Sequence, residues 1–344
     1  MMAAICRQPH DRIPTDIWAT AEVWKKLETH FGSRQQAFVD LHIDGIAGVN
    51  AVFQGPTYSA PPGESVDMWG IRTKPIAYKG GVYQEQSFNP LSGAITIDDL
   101  EAYRWLRADW FDYSRMREIA QEKRKSQVVQ CGYMAPFFMH NKLRGLEASL
   151  IDPLDKPEFT HHLLNRLCDF LYDHHRRMFE TCEGLIDIAQ VTDDLGCQTG
   201  PIIGLQTYRE FYAPHHKRFI ELCHEFGIRV LHHDDGSIRT FLPDLIDMGI
   251  DILNPVQWTC ADMDMVDLKR DFGDHICFHG AIDNQQILPF GTPEDVRAEV
   301  RHCIDALASD STGYILAPCH NIQANTPVEN IIAMYDEARC YGKF

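Results

Sequence analysis

The stretch IRVLHHDDGS ends an apolar run with two histidines, two aspartates and a glycine. His233 and Asp235 are two residues apart, so their side chains point to the same side of an extended strand. His232 and Asp234 share the opposite side. Imidazole nitrogen and carboxylate oxygen are both good zinc ligands. We therefore predict that one pair faces a metal site and that the other faces the surrounding helices or the next loop.

A second candidate ligand position lies in the tetrapeptide PCHN, at the end of the last apolar run. Either of its middle residues, Cys319 or His320, could complete a site with the H-x-D pair. Three protein ligands and one open position are typical of a catalytic zinc. The sequence also allows a plainer interpretation, in which Asp235 or Ser237 caps the following helix and no metal binds.

Further polar residues follow other apolar runs. QVTDDLGCQTG contains Asp193 and Asp194, which could act as general acid or base, although an Asx-turn would also explain them. Side chains that end other runs, or that lie in the loop DMWG, are predicted to bind substrate: Tyr133, Asn254, His279, Asp67 and Trp69. The paired histidines at 161–162, 174–175 and 215–216 fall in helical stretches and are predicted to lie on solvated faces.

Composition excludes several classes of function. The chain has 344 residues, a net charge of −17 and no cluster of lysine and arginine, which argues against a nucleic-acid partner. No apolar run is long enough to cross a membrane. Eleven scattered cysteines without a C-x-x-C pair are typical of reduced thiols, so we expect a cytoplasmic protein.

Short apolar segments alternate with helical patterns along most of the chain. Strands are predicted at 13–18, 45–53, 127–133, 185–192, 228–232, 250–254, 275–279 and 313–317. Helices are predicted at 155–182, 205–226, 237–248 and 292–308. GTPEDV and NTPVEN are typical helix starts, with Thr292 and Thr326 as N-caps.

About eight strands that alternate with helices indicate a parallel sheet, and eight is the number that closes a barrel. An open doubly wound sheet is the alternative, but no G-x-G-x-x-G follows an early strand. We predict one domain over 1–344, a (β/α)8 TIM barrel with an N-terminal extension and a long loop region around 54–95. The carboxyl ends of its strands would gather the polar residues described above.

Long, ordered stretches of the chain resemble a known superfamily. The resemblance begins with PHDRIPTDIW, continues through TDDLGCQTGPIIGLQTYREFYAPHHKRFI and LHHDDGSIRTFLPDLIDMGIDILNPVQ, and closes with GYILAPCHNIQANTPVENI. These segments are similar to the uroporphyrinogen decarboxylase superfamily over nearly the whole length. The resemblance implies a barrel of the uroporphyrinogen decarboxylase type, with a deep cleft at the carboxyl ends of the strands. By analogy, it also implies a homodimer.

The chain departs from the decarboxylases at the residue that holds their substrate. Their R-Q-A-G-R-Y motif supplies an arginine for an anionic tetrapyrrole, whereas TDIWATAEVW has Ala19 near that position. Buried carboxylates need paired cations, so binding of a highly anionic tetrapyrrole is hard to justify. His320 matches the histidine that these enzymes carry before a T-P-x-E-N helix start.

The corrinoid-dependent methyltransferases of the same superfamily carry zinc on an H-x-C-G motif and a later cysteine. HDDG occupies the place of H-x-C-G, with Asp235 where a cysteine would be, and Cys319 or His320 stands at the last ligand. Fewer thiolates leave the zinc more Lewis acidic and better suited to an oxygen. The resemblance thus implies a zinc-dependent methyltransferase that moves a methyl group between a small methylated substrate, such as an O-methyl compound, and a corrinoid supplied by a partner protein.

Two other functions stay open at this point. A metal-free decarboxylase or lyase could act on a small aromatic or heterocyclic acid, with His320 and an aspartate at 193–194 handling the proton. A barrel without catalytic activity could instead bind a corrinoid or tetrapyrrole. Zinc content distinguishes the first function from these two.

Overall fold

The computed structural model describes residues 1–78 and 81–344. In this part of the chain, one parallel sheet of seven strands forms the centre of the fold and is curled into a half-barrel. Seven of the eight predicted strands are confirmed within a few residues. In spatial and chain order they are β1 (Ile46–Val49), β2 (Val128–Met134), β3 (Ile188–Val191), β4 (Arg229–His233), β5 (Ile252–Asn254), β6 (Cys277–Ile282) and β7 (Tyr314–Pro318).

The predicted strand at 13–18 forms only isolated bridges instead of a ladder. On one side, the amide of Asp16 donates to the carbonyl of Leu316 over 3.0 Å. On the other side, the amides of Asp44 and Gly45 donate to the carbonyl of Thr15 over 3.2 and 3.1 Å. The segment therefore lies between β7 and the start of β1, but the complete eight-stranded barrel that we predicted is not observed.

Helices surround the sheet on its outer face and at its amino-terminal end. They are α1 (Met2–Ile5), α2 (Ala21–Phe31), α3 (Arg34–Asp40), α4 (Ile97–Ala102), α5 (Met116–Lys123), α6 (Pro136–Arg144), α7 (Leu146–Asp155), α8 (Pro157–Thr181), α9 (Leu205–Thr207), α10 (Ala213–Glu225), α11 (Leu242–Met248), α12 (Met265–Phe272), α13 (Ile287–Phe290), α14 (Pro293–Leu307) and α15 (Val328–Tyr341). Among the described residues, none of these helices has both the length and the apolar character to cross a membrane.

The two predicted helix starts have different outcomes. Thr292 caps α14, because its hydroxyl accepts from the amide of Asp295 while the carboxylate of Asp295 accepts from the amide of Thr292. At α15 the N-cap is Pro327, one residue later than predicted, and Thr326 is buried instead of capping the helix.

The region 54–95, predicted as a long loop, contains a small antiparallel sheet. Its strands are Ser65–Val66, Arg72–Tyr78 and Gly81–Phe88. Two further short pairings join Val52–Phe53 to Phe111–Asp112 and Gly196–Cys197 to Gly200–Pro201. The prediction missed the small sheet because its strands are largely exposed and lack the apolar runs that mark a buried strand.

An apolar cluster closes the amino-terminal end of the main sheet. Helix α1 contributes Ala4 and Ile5, which pack with one inward-facing residue from each strand from β2 to β7. These are Val128, Ile188, Leu231, Ile252, Cys277 and Ile315. The predicted N-terminal extension thus forms an apolar floor beneath the residues that lie further along the same strands.

Candidate active site

His233, Asp235 and His320 lie together at the carboxyl ends of β4 and β7. One ligand atom from each side chain lies within 4.8 Å of the other two, and these are the only such group of three among the residues described. His320 Nε2 lies 3.8 Å from Asp235 Oδ2. His233 is buried, while His320 and Asp235 expose 42% and 41% of their side chains. The cluster is therefore open to solvent on one side.

The alternation along β4 separates two pairs of ionisable residues, as the sequence predicted. His233 and Asp235 face the interior, two and four residues beyond Leu231 in the apolar floor. His232 and Asp234 face the helical layer, with 3.4 Å between His232 Nε2 and Asp234 Oδ2. The outward pair is fully buried, so the helices cover it completely.

A row of buried polar side chains supports His233 from below. Parallel pairing places His233 opposite Asn254, and His233 Nδ1 lies 2.6 Å from Asn254 Oδ1. Asn254 Nδ2 lies 2.6 Å from His279 Nδ1, and His279 Nε2 lies 3.1 Å from Asp16 Oδ2. Asn254 and His279 were predicted to bind substrate, but both are fully buried and bonded within this row.

Two neighbours of the cluster, Asp16 and Trp18, were not among the predicted site residues, although Trp18 ends the strand predicted at 13–18. The Trp18 ring lies 5.4 Å from that of His233 and 6.4 Å from that of His320, measured between centroids. Its Nε1 donates to Asp16 Oδ2 over 3.1 Å. The only available signal was their shared place in TDIW, a segment predicted to end at the mouth of the sheet.

The two candidates in PCHN occupy different environments. The thiol of Cys319 is buried and donates to the carbonyl of Val256 over 3.3 Å, and burial raises its pKa well above the ordinary value. His320 instead faces Asp235. Burial lowers the pKa of His320, and the carboxylate of Asp235 opposes this shift. The structure thus brings His320 rather than Cys319 into the cluster.

A cavity of about 260 Å³ adjoins the cluster. It is lined by polar amides as well as by the candidate ligands: Asp235, Gln257, Asn284, Gln285, Cys319, His320 and Gln323. A space of this size admits a small molecule.

The two aspartates after β3 have separate positions. Asp193 is buried beside His216, with 2.7 Å between Asp193 Oδ2 and His216 Nε2, and its other oxygen accepts from the amide of Phe138. Burial raises the pKa of Asp193 and lowers that of His216. Asp194 is less buried. Burial and the carboxylates of Asp234 and Asp235 raise its pKa to about 7.

The other predicted substrate-binding residues make local contacts. Asp67 Oδ1 accepts from the amides of Trp69 and Ile71, each over 2.9 Å, and so holds its own turn. Trp69 is buried and packs edge-on against Phe170. Tyr133, at the end of β2, is 44% exposed, and its pKa is raised by burial and by Asp193 and Asp194.

The prediction that the paired histidines are solvated is wrong for three of the six. His175, His215 and His216 are buried, because α8 and α10 turn these residues toward the sheet. The pairs 161–162 and 174–175 keep a partly exposed member. Two adjacent helical residues lie about 100° apart, so one can be buried while the next is exposed.

Gly236 holds the turn that follows the cluster, and we expect that its replacement by alanine destabilises the fold by about 3 kcal/mol. Its φ is 87°, and an added Cβ would lie 2.7–2.8 Å from backbone atoms of Cys197. The matched control is Gly227→Ala, because Gly227 has a φ of 69° but open space around it. That variant should lose only about 1 kcal/mol, the cost of the left-handed backbone. Urea denaturation measures both, and equal losses would contradict the close approach.

The cluster fits a zinc ion by its donor set. Two histidines and one carboxylate with an open fourth position are a catalytic zinc pattern, and ligands about 2.1 Å from a tetrahedral ion lie about 3.4 Å apart. The 3.8 Å between His320 and Asp235 is near that separation. His233 Nδ1 is occupied by Asn254, which leaves Nε2 as the ligand atom.

Residues 97–341 match the family described as Uroporphyrinogen decarboxylase (URO-D). Among curated relatives, the chain is 26% identical over 203 residues to the methylated-thiol–coenzyme M methyltransferase of Methanosarcina mazei, covering 58% of the chain and 49% of that protein. It is 24% identical to a methylcobamide:CoM methyltransferase of the same organism (65% of the chain, 62% of that protein). With a uroporphyrinogen decarboxylase of Dechloromonas aromatica, the identity is 23% and the coverage is 49% of each chain. The chain thus covers about half to three fifths of these relatives' lengths.

A solved structure described as a methyltransferase from Methanosarcina mazei has a similar fold. Its TM-score is 0.66, and the alignment covers 98% of this chain and 97% of that one at 16% identity. At this identity the likeness concerns the fold alone. It extends over the described sheet and its helices, and over the carboxyl end where the cluster lies.

Proposed function

We propose that this chain, which belongs to the uroporphyrinogen decarboxylase family, is a zinc-dependent methyltransferase. It would move a methyl group between a small O-methyl substrate and a corrinoid carried by a partner protein. The observation that carries the proposal is the convergence of His233, Asp235 and His320 at one open end of the sheet. Barrel folds place their catalytic residues at the carboxyl ends of the strands, and the three ligands lie there.

His233, Asp235 and His320 would hold the metal. When bound, zinc supplies a Lewis acid that polarises the heteroatom from which the methyl group departs or to which it is delivered. The side chains that line the adjoining cavity would orient the substrate. The Trp18 ring, whose centroid lies 5.4 Å from that of the His233 ring, would limit the positions open to that ring.

Asp194 is our candidate for the proton that the leaving heteroatom needs. It follows β3 and is close enough to Asp235 for that carboxylate to raise its pKa. A carboxyl group that keeps its proton near neutral pH can act as a general acid. Asp193 lies deeper and is already paired with His216, so we assign it to holding the loop.

The relatives and the ligand set support different parts of the proposal. Two relatives carry coenzyme M methyltransferase in their names, and one name includes methylcobamide. The oxygen preference comes from Asp235, because a carboxylate at this position gives a harder ligand set than a thiolate would. We further propose that segment 13–18 closes the barrel, that the protein forms a homodimer and that it works in the cytoplasm, as its scattered free cysteines suggest.

A second candidate function is a metal-free decarboxylase or lyase for a small aromatic or heterocyclic acid. Its support is the relative named uroporphyrinogen decarboxylase. His320 and Asp194 would then exchange the proton. Among the described residues, none that lines the cavity next to the cluster is an arginine able to receive a carboxylate, which favours the first proposal.

Metal analysis of protein purified without chelators tests the proposal. We expect about one zinc per chain, because three protein ligands with an open position bind zinc firmly. Cys319→Ala is the matched control and should keep this zinc, since the Cys319 thiol is directed at the carbonyl of Val256. A wild-type content below about a tenth of an equivalent would overturn the zinc mechanism and leave the decarboxylase as the better account.

A further inference from the structure

We infer that the buried row Asp16–His279–Asn254–His233 fixes the tautomer of His233, so that its Nε2 presents a lone pair to the cleft. The inference rests on the proposed function in one respect only, that this lone pair serves a metal. Asp16, His279 and Asn254 act through His233 and are positioning residues. We define these four residues as the polar row.

The sheet itself aligns the polar row. His233 and Asn254 are direct partners between β4 and β5, and the pairing of Leu253 with Phe278 brings His279 of β6 next to Asn254. Residues two positions earlier on the same strands belong to the apolar floor. The row is thus the first polar layer above an apolar one. Asn254 and His279 are fully buried, Asp16 is 2% exposed and His233 is 8% exposed.

The direction of the hydrogen bonds begins at Asp16. Its carboxylate accepts from the amide of Ile46 over 3.1 Å and from Trp18 Nε1 over 3.1 Å. His279 Nε2, also 3.1 Å away, must therefore donate, because a lone pair on that nitrogen would face a carboxylate oxygen. A neutral imidazole with a proton on Nε2 has an acceptor at Nδ1.

The remaining bonds follow from this first one. His279 Nδ1 accepts from the amide nitrogen of Asn254, which directs the amide oxygen of Asn254 toward His233. That oxygen can only accept, so His233 carries its proton on Nδ1 and donates it over 2.6 Å. His233 Nε2 is left without a proton, as a metal ligand must be. A carboxylate at the far end of the row thus determines which nitrogen is offered to the cleft.

Exchanging the carboxylate at position 16 with the amide at position 254 of the polar row provides a specific test. Asp16→Asn should allow the row to reverse, which would put the proton of His233 on Nε2 and weaken zinc binding about 10- to 100-fold. Asn254→Asp alone should keep the proton on His233 Nδ1, because a carboxylate at position 254 can only accept. The combined variant, Asp16→Asn with Asn254→Asp, should restore the wild-type tautomer, since the new amide at position 16 can donate to His279 while Trp18 Nε1 loses its acceptor.

Two measurements on the full chain are needed. Long-range ¹H–¹⁵N correlation spectra of the metal-free protein report the tautomer of His233, and competition with a chromophoric chelator gives the zinc dissociation constant. The expected result is loss of the Nδ1-protonated form and of affinity in Asp16→Asn, with recovery of both in the combined variant. A side chain that only filled space would not produce this recovery.

Three outcomes would overturn the inference: an unchanged His233 tautomer in Asp16→Asn, no recovery in the combined variant, or an Nε2-protonated His233 in the wild type. If Asp16→Asn does not fold, Asn254→Asp and the combined variant still test it. Failure of the proposed function is distinguishable, because a wild-type protein that binds no zinc would still show the tautomer of His233 in the metal-free spectra.

Discussion

Replacement of His233 by alanine is expected to release the zinc and to lower methyl transfer about a thousandfold. His233 is the buried member of the cluster and is held by Asn254, so neither Asp235 nor His320 can replace it from the exposed side. Zinc content by mass spectrometry gives the first measurement. The rate of methylcobalamin demethylation, with small alcohols, phenols and thiols as acceptors, gives the second.

The stability of the His233→Ala variant must be measured together with its zinc content, because the substitution leaves the Asn254 amide oxygen without its donor. Such a loss costs about 1–3 kcal/mol, so thermal unfolding should show a modest decrease and not a collapse of the fold. The matched control is His275→Ala, because His275 is exposed just before β6 at the opposite end of the sheet. Zinc retained at the wild-type level by His233→Ala would show that the metal, if any, binds elsewhere.

Acid is expected to unfold the protein well above the range in which carboxylates titrate. Burial lowers the pKa of His140 and His175 to about 4, from an ordinary value of 6.5. At these two positions the unfolded chain therefore takes up protons below pH 6.5, whereas the folded chain does not take them up until about pH 4. The stability that these two histidines contribute is complete above pH 6.5 and falls between these limits, by up to about 1.4 kcal/mol per pH unit for each histidine.

His175 gives the cleaner test, because both of its nitrogens are engaged in the neutral form. Nδ1 donates to the carbonyl of Leu171 over 2.6 Å, and Nε2 accepts from the amide of Tyr133 over 3.0 Å. Glutamine offers one donor and one acceptor but does not titrate, so His175→Gln should reduce the pH slope of unfolding by about one proton. Urea denaturation between pH 7.5 and 5 measures the slope, with His275→Gln as the matched control. An unchanged slope in His175→Gln would contradict the assignment.

The positions of the strands and the pairing within HHDD could be predicted because they depend on local period. Apolar runs marked seven strands, and the two-residue repeat separated His233 and Asp235 from His232 and Asp234. The choice of His320 over Cys319 could not be made in this way. Both residues end the same strand, and only the packed position of the thiol against Val256 distinguishes them.

The residues that hold the cluster in place could not be predicted from local sequence patterns. Asp16 and His279 are 263 residues apart and meet only when the first segment lies beside the last strand. Asn254 looked like a residue at a strand end that faces the cleft, but β5 ends beneath the cleft and buries it. The burial of His216 likewise depends on α10 covering the outward pair of β4. These are consequences of tertiary packing, which strand and helix periods do not specify.

The apolar floor is formed by α1 and the first inward-facing residues of the strands. It determines the order in which the substrate and the partner protein bind. Because the apolar floor closes the cleft from below, we expect the substrate to enter from the carboxyl ends of the strands, where the cluster is exposed, and the molecule that enters first to lie deepest. On the proposed function, the small substrate must be in place before the corrinoid protein covers the mouth, and the demethylated product stays inside until that protein leaves. Dissociation of the partner protein, rather than cleavage of the bond to the methyl group, would then limit the rate of turnover.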